Sequence, residues 1–525
     1  MPNEIWKECI SRKSLEAGWH LTRAELRSDF FFDVYYQQAF AQNLSAQIAE
    51  LIRSLREGSF YPRASHPVLA PKGPLATRPG SHISLRDRVV LWSIVRNIAK
   101  QFESRLPNSV YSYRLKPDAR NGELFRESDA LSLPFLKRRQ ISAELDPFDA
   151  WYEAWPDFES RSKDAIGEGY RYLVVSDIAA YFENINLDLL KDQLMSVLDN
   201  EPVLCNFIYE CLLYWATKSH MGSRPRRGIP QGSGIFSFLG NIYLLPIDEA
   251  FKEAAADTSI AYFRYTDDIR IFCRKRVDAQ RAAFLLESKV REIHLNLQSA
   301  KTKILEERPS NQQITNSLFD DRIESLSALR DGINKLQVTE SRATTILYRI
   351  ARKNPSNPES KRLFRVTDPK SNLTDRAMRA WMNLCIRVGD GDHITTLLRQ
   401  IWTNPDNRLS RVFINTCKTF PRKASLGNEI VSFVNSEQNI HKQQEAELIR
   451  GARYLSVIPD DLWRRALRVA RDPAEVFQLK VQSLLLLGMR SHSRAIYNQL
   501  FTSLRADRDI IVHPYYVAVL GQVTG

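Results

Sequence analysis

Two adjacent aspartates, Asp267 and Asp268, interrupt an otherwise apolar and aromatic stretch running from Ile260 to Cys273. Such stretches favour strands, and successive side chains of a strand point to opposite faces. Adjacent carboxylates therefore serve one site only if the chain turns tightly there, which makes the stretch a hairpin with Thr266-Asp267-Asp268 at its tip. Hemmed in by apolar residues, two unpaired charges are costly unless a metal ion or another cation meets them. Taken alone, the pair is also compatible with a purely structural turn.

A further carboxylate lies upstream. Tyr170 to Ser176 is a β-branched, apolar pattern that runs straight into Asp177. An aspartate in that place equally caps a following helix. Between the two acidic positions stands Gly228-Ile229-Pro230-Gln231-Gly232, preceded by Arg226-Arg227 and leading into a helical stretch, Phe236 to Phe251. Glycines let backbone approach a base pair or sugar closely, and Gln231 offers a donor and an acceptor. Such a turn is weak evidence alone and gains weight from its place in this order. Nucleotidyl transfer needs two divalent cations, one activating the attacking 3′-hydroxyl and one holding the triphosphate and leaving group. Magnesium wants hard oxygen ligands converging from separate segments. Asp177, the backbone carbonyl of Ile178, Asp267 and Asp268 form such a set.

The rest of the chain divides by pattern. Apolar residues from Ala24 to Glu57 recur at helical spacing and stop at Gly58, Pro67 to Gly80 reads as loops and a hairpin, and Arg86 to Phe102 is again helical. Asp118 to Gly169 is polar, aromatic and irregular. After Arg308-Pro309 only helical segments remain, broken at Asn354-Pro355, Asn404-Pro405 and Asp472-Pro473. The net charge of +13 splits unevenly: residues 1–310 hold 42 Lys and Arg against 40 Asp and Glu, and residues 311–525 hold 32 against 21. A basic surface commonly tracks a phosphate backbone, although a basic helical face is also simply solvated. The six cysteines include no C-x-x-C pair and are expected as buried thiols. No apolar run reaches bilayer length and the N-terminus lacks the order of a secretory signal, so the expected location is cytoplasmic, without membrane contact.

With these residues in order, the sequence resembles the right-hand fingers and palm of a reverse transcriptase over about residues 45–305. Asp177-Ile178-x-x-Tyr181-Phe182 is similar to the family's first palm motif, Gly228 to Gly232 with Asn241 to its second, and Tyr265-Thr266-Asp267-Asp268 to its Y-x-D-D hairpin. Leu295-Asn296 with Lys301-Thr302 resembles the later palm segment. Pro71-Lys72, Arg78-Pro79, Ser84 to Arg88 and Ser112-Tyr113-Arg114 resemble the fingers. The resemblance implies an α+β fold with an antiparallel palm sheet and helices, followed here by an all-α C-terminal domain. The expected domains are 1–120 for N-terminal helices and fingers, 121–307 for the palm with an insert at about 118–169, and 308–525 for the basic helical domain. It further implies two Mg²⁺ ions, replaceable by Mn²⁺, on Asp177, Ile178, Asp267 and Asp268. Lys72 and Arg78 would meet the triphosphate of a dNTP, and Gln231 and Gly232 would line its site. Phe182 would exclude a ribose 2′-hydroxyl; otherwise it is a core aromatic beside Tyr181. Lys301 would donate a proton to pyrophosphate; otherwise it is a solvated lysine.

No zinc-binding or nuclease block follows the palm, unlike intron enzymes, and the helical domain is longer than a retron thumb. The architecture is similar to the abortive-infection and related defence-associated reverse transcriptases of bacteria. That implies antiphage defence, DNA synthesis that is RNA-directed or untemplated, RNA or DNA as template and product, and as partners a noncoding RNA or further copies of the chain. A nucleic-acid-binding scaffold in a defence ribonucleoprotein, with catalysis secondary, is the alternative, as is a retron or intron type. The terminal Val523-Thr524-Gly525 resembles a retron thumb tripeptide but stands in the wrong place. Arg508-x(4)-His513 matches the spacing of HEPN ribonucleases, yet a helix would set the two about 140° apart, and Pro514 is expected to end it.

Overall fold

The computed structural model describes residues 3–26, 31, 34–72, 76–116, 147–149, 151–198, 200–218, 226–256, 259–308, 310–314, 382, 383, 386, 402, 405, 407–490 and 493–521. Asn354-Pro355, Val523 to Gly525 and most of the irregular stretch after Asp118 lie outside them. The chain divides into two units, one of Met1–Pro67 with Gly80–Phe319, the other of Val68–Pro79 with Asp320–Gly525.

The first unit is built on a five-stranded antiparallel sheet in the order β4-β5-β3-β6-β7, formed by β3 (Tyr172–Ser176), β4 (Ile260–Tyr265), β5 (Asp268–Cys273), β6 (Lys303–Arg308) and β7 (Asn311–Gln312). β3 is central, and its apolar run suits a strand buried on both faces, with Leu173 and Val174 fully covered. One face of hairpin β4–β5 buries Tyr262, Ile269 and Ile271 in the large core shared with helices Leu85–Glu103 and Gly234–Tyr243. The other face buries Phe263 and Phe272 against Phe158 and Ala165 of helix Trp151–Gly167. That helix falls inside the stretch expected to be irregular. It carries Pro156, which disguises it, yet Ala154, Phe158, Ser162 and Ala165 recur at helical spacing and are all buried.

The expected helix from Ala24 to Glu57 is in fact the end of one helix and two more: Arg12–Glu25, Val34–Gln42 and Leu44–Arg56. The expected stretch Phe236 to Phe251 is likewise two, Gly234–Tyr243 and Leu245–Ala254, the second opened by Pro246. Pro67 to Gly80 folds as expected, with β1 (His66–Pro71) and β2 (Thr77–His82) pairing in a two-stranded sheet.

In the second unit the described C-terminal elements are helical: Asn407–Thr419, Ala424–Val434, Lys442–Ala452, Asp460–Arg471, Phe477–Leu487, Arg494–Ala506 and His513–Leu520, with a 3-10 turn at Ile510–Val512. Buried ion pairs tie them together, Arg465 gripping Glu445 at 2.7 and 3.0 Å and Lys480 meeting Asp507 at 2.6 Å. Pro514 opens the last helix instead of ending one, because a proline in the first turn has no amide to lose. His513 turns its Nε2 to the carbonyl of Asp507 at 2.9 Å, so it and Arg508 do not share a helix face. The five described cysteines are free and buried. Among the described residues no helix is long and apolar enough to cross a membrane.

Candidate active site

The register of the sheet brings the carboxylates together. β3 pairs with β5 so that Ser176 lies across from Ile269. One residue further along, the same register sets Asp177 opposite Asp268. Tyr265 pairs with Asp268 across β4–β5, leaving Thr266 and Asp267 as a two-residue loop. Thr266 takes φ 53°, a left-handed conformation that a β-branched residue adopts at a cost of about 1–3 kcal/mol. The loop is therefore held from several sides. The Thr266 amide donates to Ser112 Oγ at 2.8 Å, its carbonyl accepts from Arg264 at 3.0 Å, and its hydroxyl reaches Asp267 Oδ1 at 2.9 Å.

Behind the loop lies a fully buried polar network. Arg264 donates to Asp248 at 2.7 and 2.5 Å and to Asn241 Oδ1 at 2.7 Å. Tyr262 donates to Asp248 at 2.8 Å, and Asn241 donates to the Ser112 carbonyl at 3.0 Å. Asn241 and Asp248 come from the two helices that follow the glycine turn. The network thus fixes the Asp-Asp loop relative to those helices. Of its members the sequence motifs marked Asn241 and Ser112; the role of Asp248 carries no local signal.

The electrostatics of the site are those of crowded anions. Burial raises the Asp267 carboxyl above the ordinary carboxylate range, and Asp177, close enough to hydrogen-bond, raises it further against the opposing Thr266 hydroxyl. Burial pushes Asp268 up to about 6, Arg270 works against this, and Asp177 and Asp267 add to it. Asp268 Oδ1 is buried with no hydrogen-bond partner, and Arg270 Nε, likewise unpartnered, stands 3.7 Å from it. Lys301 pairs directly with Asp177.

The segment after Asp177 completes this edge. The Ala179 amide donates to the Asn296 carbonyl at 2.9 Å and the Gln298 amide to the Asp177 carbonyl at 2.7 Å, flanking the bridge between Ile178 and Leu297. In that pattern the peptide groups of Ile178 itself point the other way, toward the β5 side. Phe182 is half-buried, packed on Tyr181 at 5.0 Å, and its carbonyl accepts from the Ile229 amide at 2.9 Å. The glycine turn is therefore bonded to the segment carrying the gate candidate. Gly228 and Gly232 take φ 88° and 116°, which explains why glycines bound the turn. Gln231 is half-buried and Gly232 exposed. Asp177, Ile178, Phe182, Gln231, Gly232, Asp267, Asp268 and Lys301 all belong to the first unit. Lys72 and Arg78 are exposed on β1–β2 in the part counted with the second.

Among the described residues no three carboxylate, imidazole or thiol groups stand in a ready-made metal-binding arrangement. The donor set nonetheless suits a hard cation: three carboxylates from two chain segments, one with an orphaned buried oxygen.

The site is thus a sheet that presents acidic residues from a strand end and a hairpin loop. Residues 78–328, just under half of the chain, match the family model of reverse transcriptase (RNA-dependent DNA polymerase), so that stretch is a reverse transcriptase domain. No curated protein matches the chain. Among solved structures it is similar to a partial Cas6-RT-Cas1-Cas2 complex, at 20% identity and a TM-score of 0.29 over 54% of this chain and 41% of that one. The chain thus spans less than half of that relative. It is also similar to apo telomerase from Candida tropicalis, at 10% identity and a TM-score of 0.33 over 89% of this chain and 74% of that one.

Proposed function

We propose that the protein joins deoxynucleotides by two-metal nucleotidyl transfer at Asp177, Asp267 and Asp268, with the Ile178 carbonyl as a fourth ligand. The observation that carries this reading is the convergence of the three carboxylates at the sheet edge, where burial and mutual repulsion raise Asp267 and Asp268 and leave Asp268 Oδ1 without a donor. When bound, Mg²⁺ or Mn²⁺ would activate the primer hydroxyl and steady the triphosphate. The chain's own part is to hold its ligands in place through the Thr266 loop and to supply surrounding donors. Lys301 already pairs with Asp177 and would be released toward the leaving pyrophosphate. Phe182, fixed by its bond to Ile229, would stand against a ribose 2′-hydroxyl, and Gln231 and Gly232 would face the nucleotide. Lys72 and Arg78 are exposed cations of the kind that grips a triphosphate.

For biological role we favour antiphage defence of the abortive-infection type. The support is architectural: a palm followed by a long helical region, with an excess of 11 positive charges over residues 311–525 that suits a phosphate backbone, whether template, product or a noncoding RNA. The decisive experiment is incorporation of labelled dNTPs with Mg²⁺ or Mn²⁺ by the wild type and by Asp267→Ala. Activity should fall by about 10³-fold or more in the variant. Unchanged incorporation would overturn the assignment.

A further inference from the structure

Ahead of the stretch that matches the family model, the helix Arg12–Glu25 ends on a carboxylate, only 11% exposed, that reaches the glycine turn. Glu25 accepts from the Gly234 amide, from the Ser233 hydroxyl at 2.8 Å and from the Trp92 indole at 3.1 Å, and the Arg88 guanidinium stands 3.6 Å away. Ser233 and Gly234 are the residues directly after Gln231-Gly232. A helix N-terminus leaves amides unsatisfied, and here the N-cap Ser233 accepts from the Ile235 amide at 3.2 Å while handing its own proton to Glu25. One carboxylate therefore fixes both residues through which the turn becomes a helix.

The helix that carries Glu25 is itself locked down. A Cβ on Gly18 would stand 2.2 Å from the Val89 carbonyl, so the two helix backbones touch where only glycine fits. Asn97 donates to Ser14 of the same helix at 3.2 Å, and Ser93 donates to the carbonyl of Cys9, in the helix just before it, at 2.5 Å. The partner helix, Leu85–Glu103, also supplies Arg88 and Trp92, so donor and acceptor positions are set by one rigid pair. Next to Ser233 and Gly234, the Ser81 amide donates to the Gln231 carbonyl at 3.3 Å, and the far end of the turn is held by the Gly228 amide, which donates to the Ile185 carbonyl at 2.9 Å.

We propose that Glu25 is a positioning residue of the nucleotide site: by fixing Ser233 and Gly234 it sets Gln231-Gly232 against the incoming dNTP, which makes the N-terminal helices a working part of the active site. The proposal rests on reading the glycine turn as a dNTP-binding surface. The test uses the full chain, with KM for dTTP and kcat measured on poly(rA) primed by oligo(dT), and thermal unfolding followed in parallel. Glu25→Ala should raise KM about tenfold with kcat held within about twofold. Glu25→Gln, which keeps an acceptor for the Gly234 amide, should recover most of that loss. Should Glu25→Ala fail to fold, Trp92→Phe removes one donor and leaves a smaller aromatic ring, and a KM rise of about twofold to threefold is expected. A fall in kcat at unchanged KM, or equal losses in the Ala and Gln variants that track the unfolding midpoint, would overturn the proposal. Gln231→Ala separates the two claims. If it raises KM and Glu25→Ala does not, the positioning role fails and the turn keeps its assignment. If Gln231→Ala leaves KM unchanged, the turn is not the dNTP surface, and both fall.

Discussion

The two faces of hairpin β4–β5 each bury an arginine, and the protein treats the two in opposite ways. Arg264 is 0% exposed and fully answered, with Asp248 gripping it through two oxygens and Asn241 and the Thr266 carbonyl taking what remains. Burial works against its charge, and Asp248 outweighs that and keeps the guanidinium firmly protonated. Arg270 is 4% exposed and lies over the Phe158 ring at 4.2 Å and the Trp155 ring at 5.6 Å, but its Nε has no partner and its carboxylate neighbour Asp268 is left 3.7 Å away. A closed pair holds geometry. An open one leaves a carboxylate oxygen available to something that arrives. The contrast fits a scaffolding role for one face of the hairpin and, on the function proposed above, the chemistry for the other.

The comparison breaks most sharply at Arg264. Arg264→Met strands Asp248 in the core, and loss of one partner of a buried pair costs about 3–5 kcal/mol, read in denaturant unfolding. The double variant Arg264→Met with Asp248→Leu should recover much of that, since apolar groups of similar volume replace a buried pair at little net cost. Stability that stayed near wild type in the single variant would mean that the network does not hold the loop. Arg270→Met should cost less, about 1–2 kcal/mol, because it removes ring contacts and one hydrogen bond, from Nη1 to Ser162 at 3.1 Å, and no completed ion pair. Its clearer mark is electrostatic. Arg270 holds the Asp268 carboxyl down against burial, so in metal-free protein its removal should move the Asp268 titration, followed by carboxyl NMR, above about 6. A titration that moved downward or not at all would show that the open pair is not an electrostatic one.

What could be read from the sequence follows the range of the interactions. β3, the β4–β5 hairpin and the glycine turn declare themselves because alternation, β-branching and paired glycines are local signals, and their order fixes which carboxylates meet. Asp268 and Asp177 are legible for that reason. Glu25 is not: its partners Ser233 and Gly234 lie 208 and 209 residues away, and an isolated glutamate at a helix end looks solvated. Asp248 is hidden in the same way, as an acidic residue in the first turn of a helix, where such residues are common whether buried or not. Helix Trp151–Gly167 was obscured by Pro156 and by charged residues interleaved with its buried face. Long-range polar satisfaction leaves no periodicity to find.

The smallest expected effect is the most diagnostic of an open site. Asp268 titrates in the folded chain at about 6 against an ordinary 3.8, so between those values the folded state holds more protons than the unfolded one. Stability is therefore fully favoured below about 4, falls as pH rises toward 6, and stays lower above it. Its side chain is 36% exposed although Oδ1 is sealed, so solvent screens part of the penalty and about 1 kcal/mol is expected. In the presence of EDTA, Asp268→Asn should then stabilise the protein at pH 8, and the gain should vanish below pH 4. Added Mg²⁺ should reverse the order, because an ion that binds only the folded state stabilises the wild type and not a chain lacking a ligand. A structural carboxylate would behave in the opposite sense, with the asparagine variant less stable at every pH where Asp268 is ionised. The sign of a 1 kcal/mol difference, more than its size, thus tells whether this face of the hairpin is built to stand alone or to receive a cation.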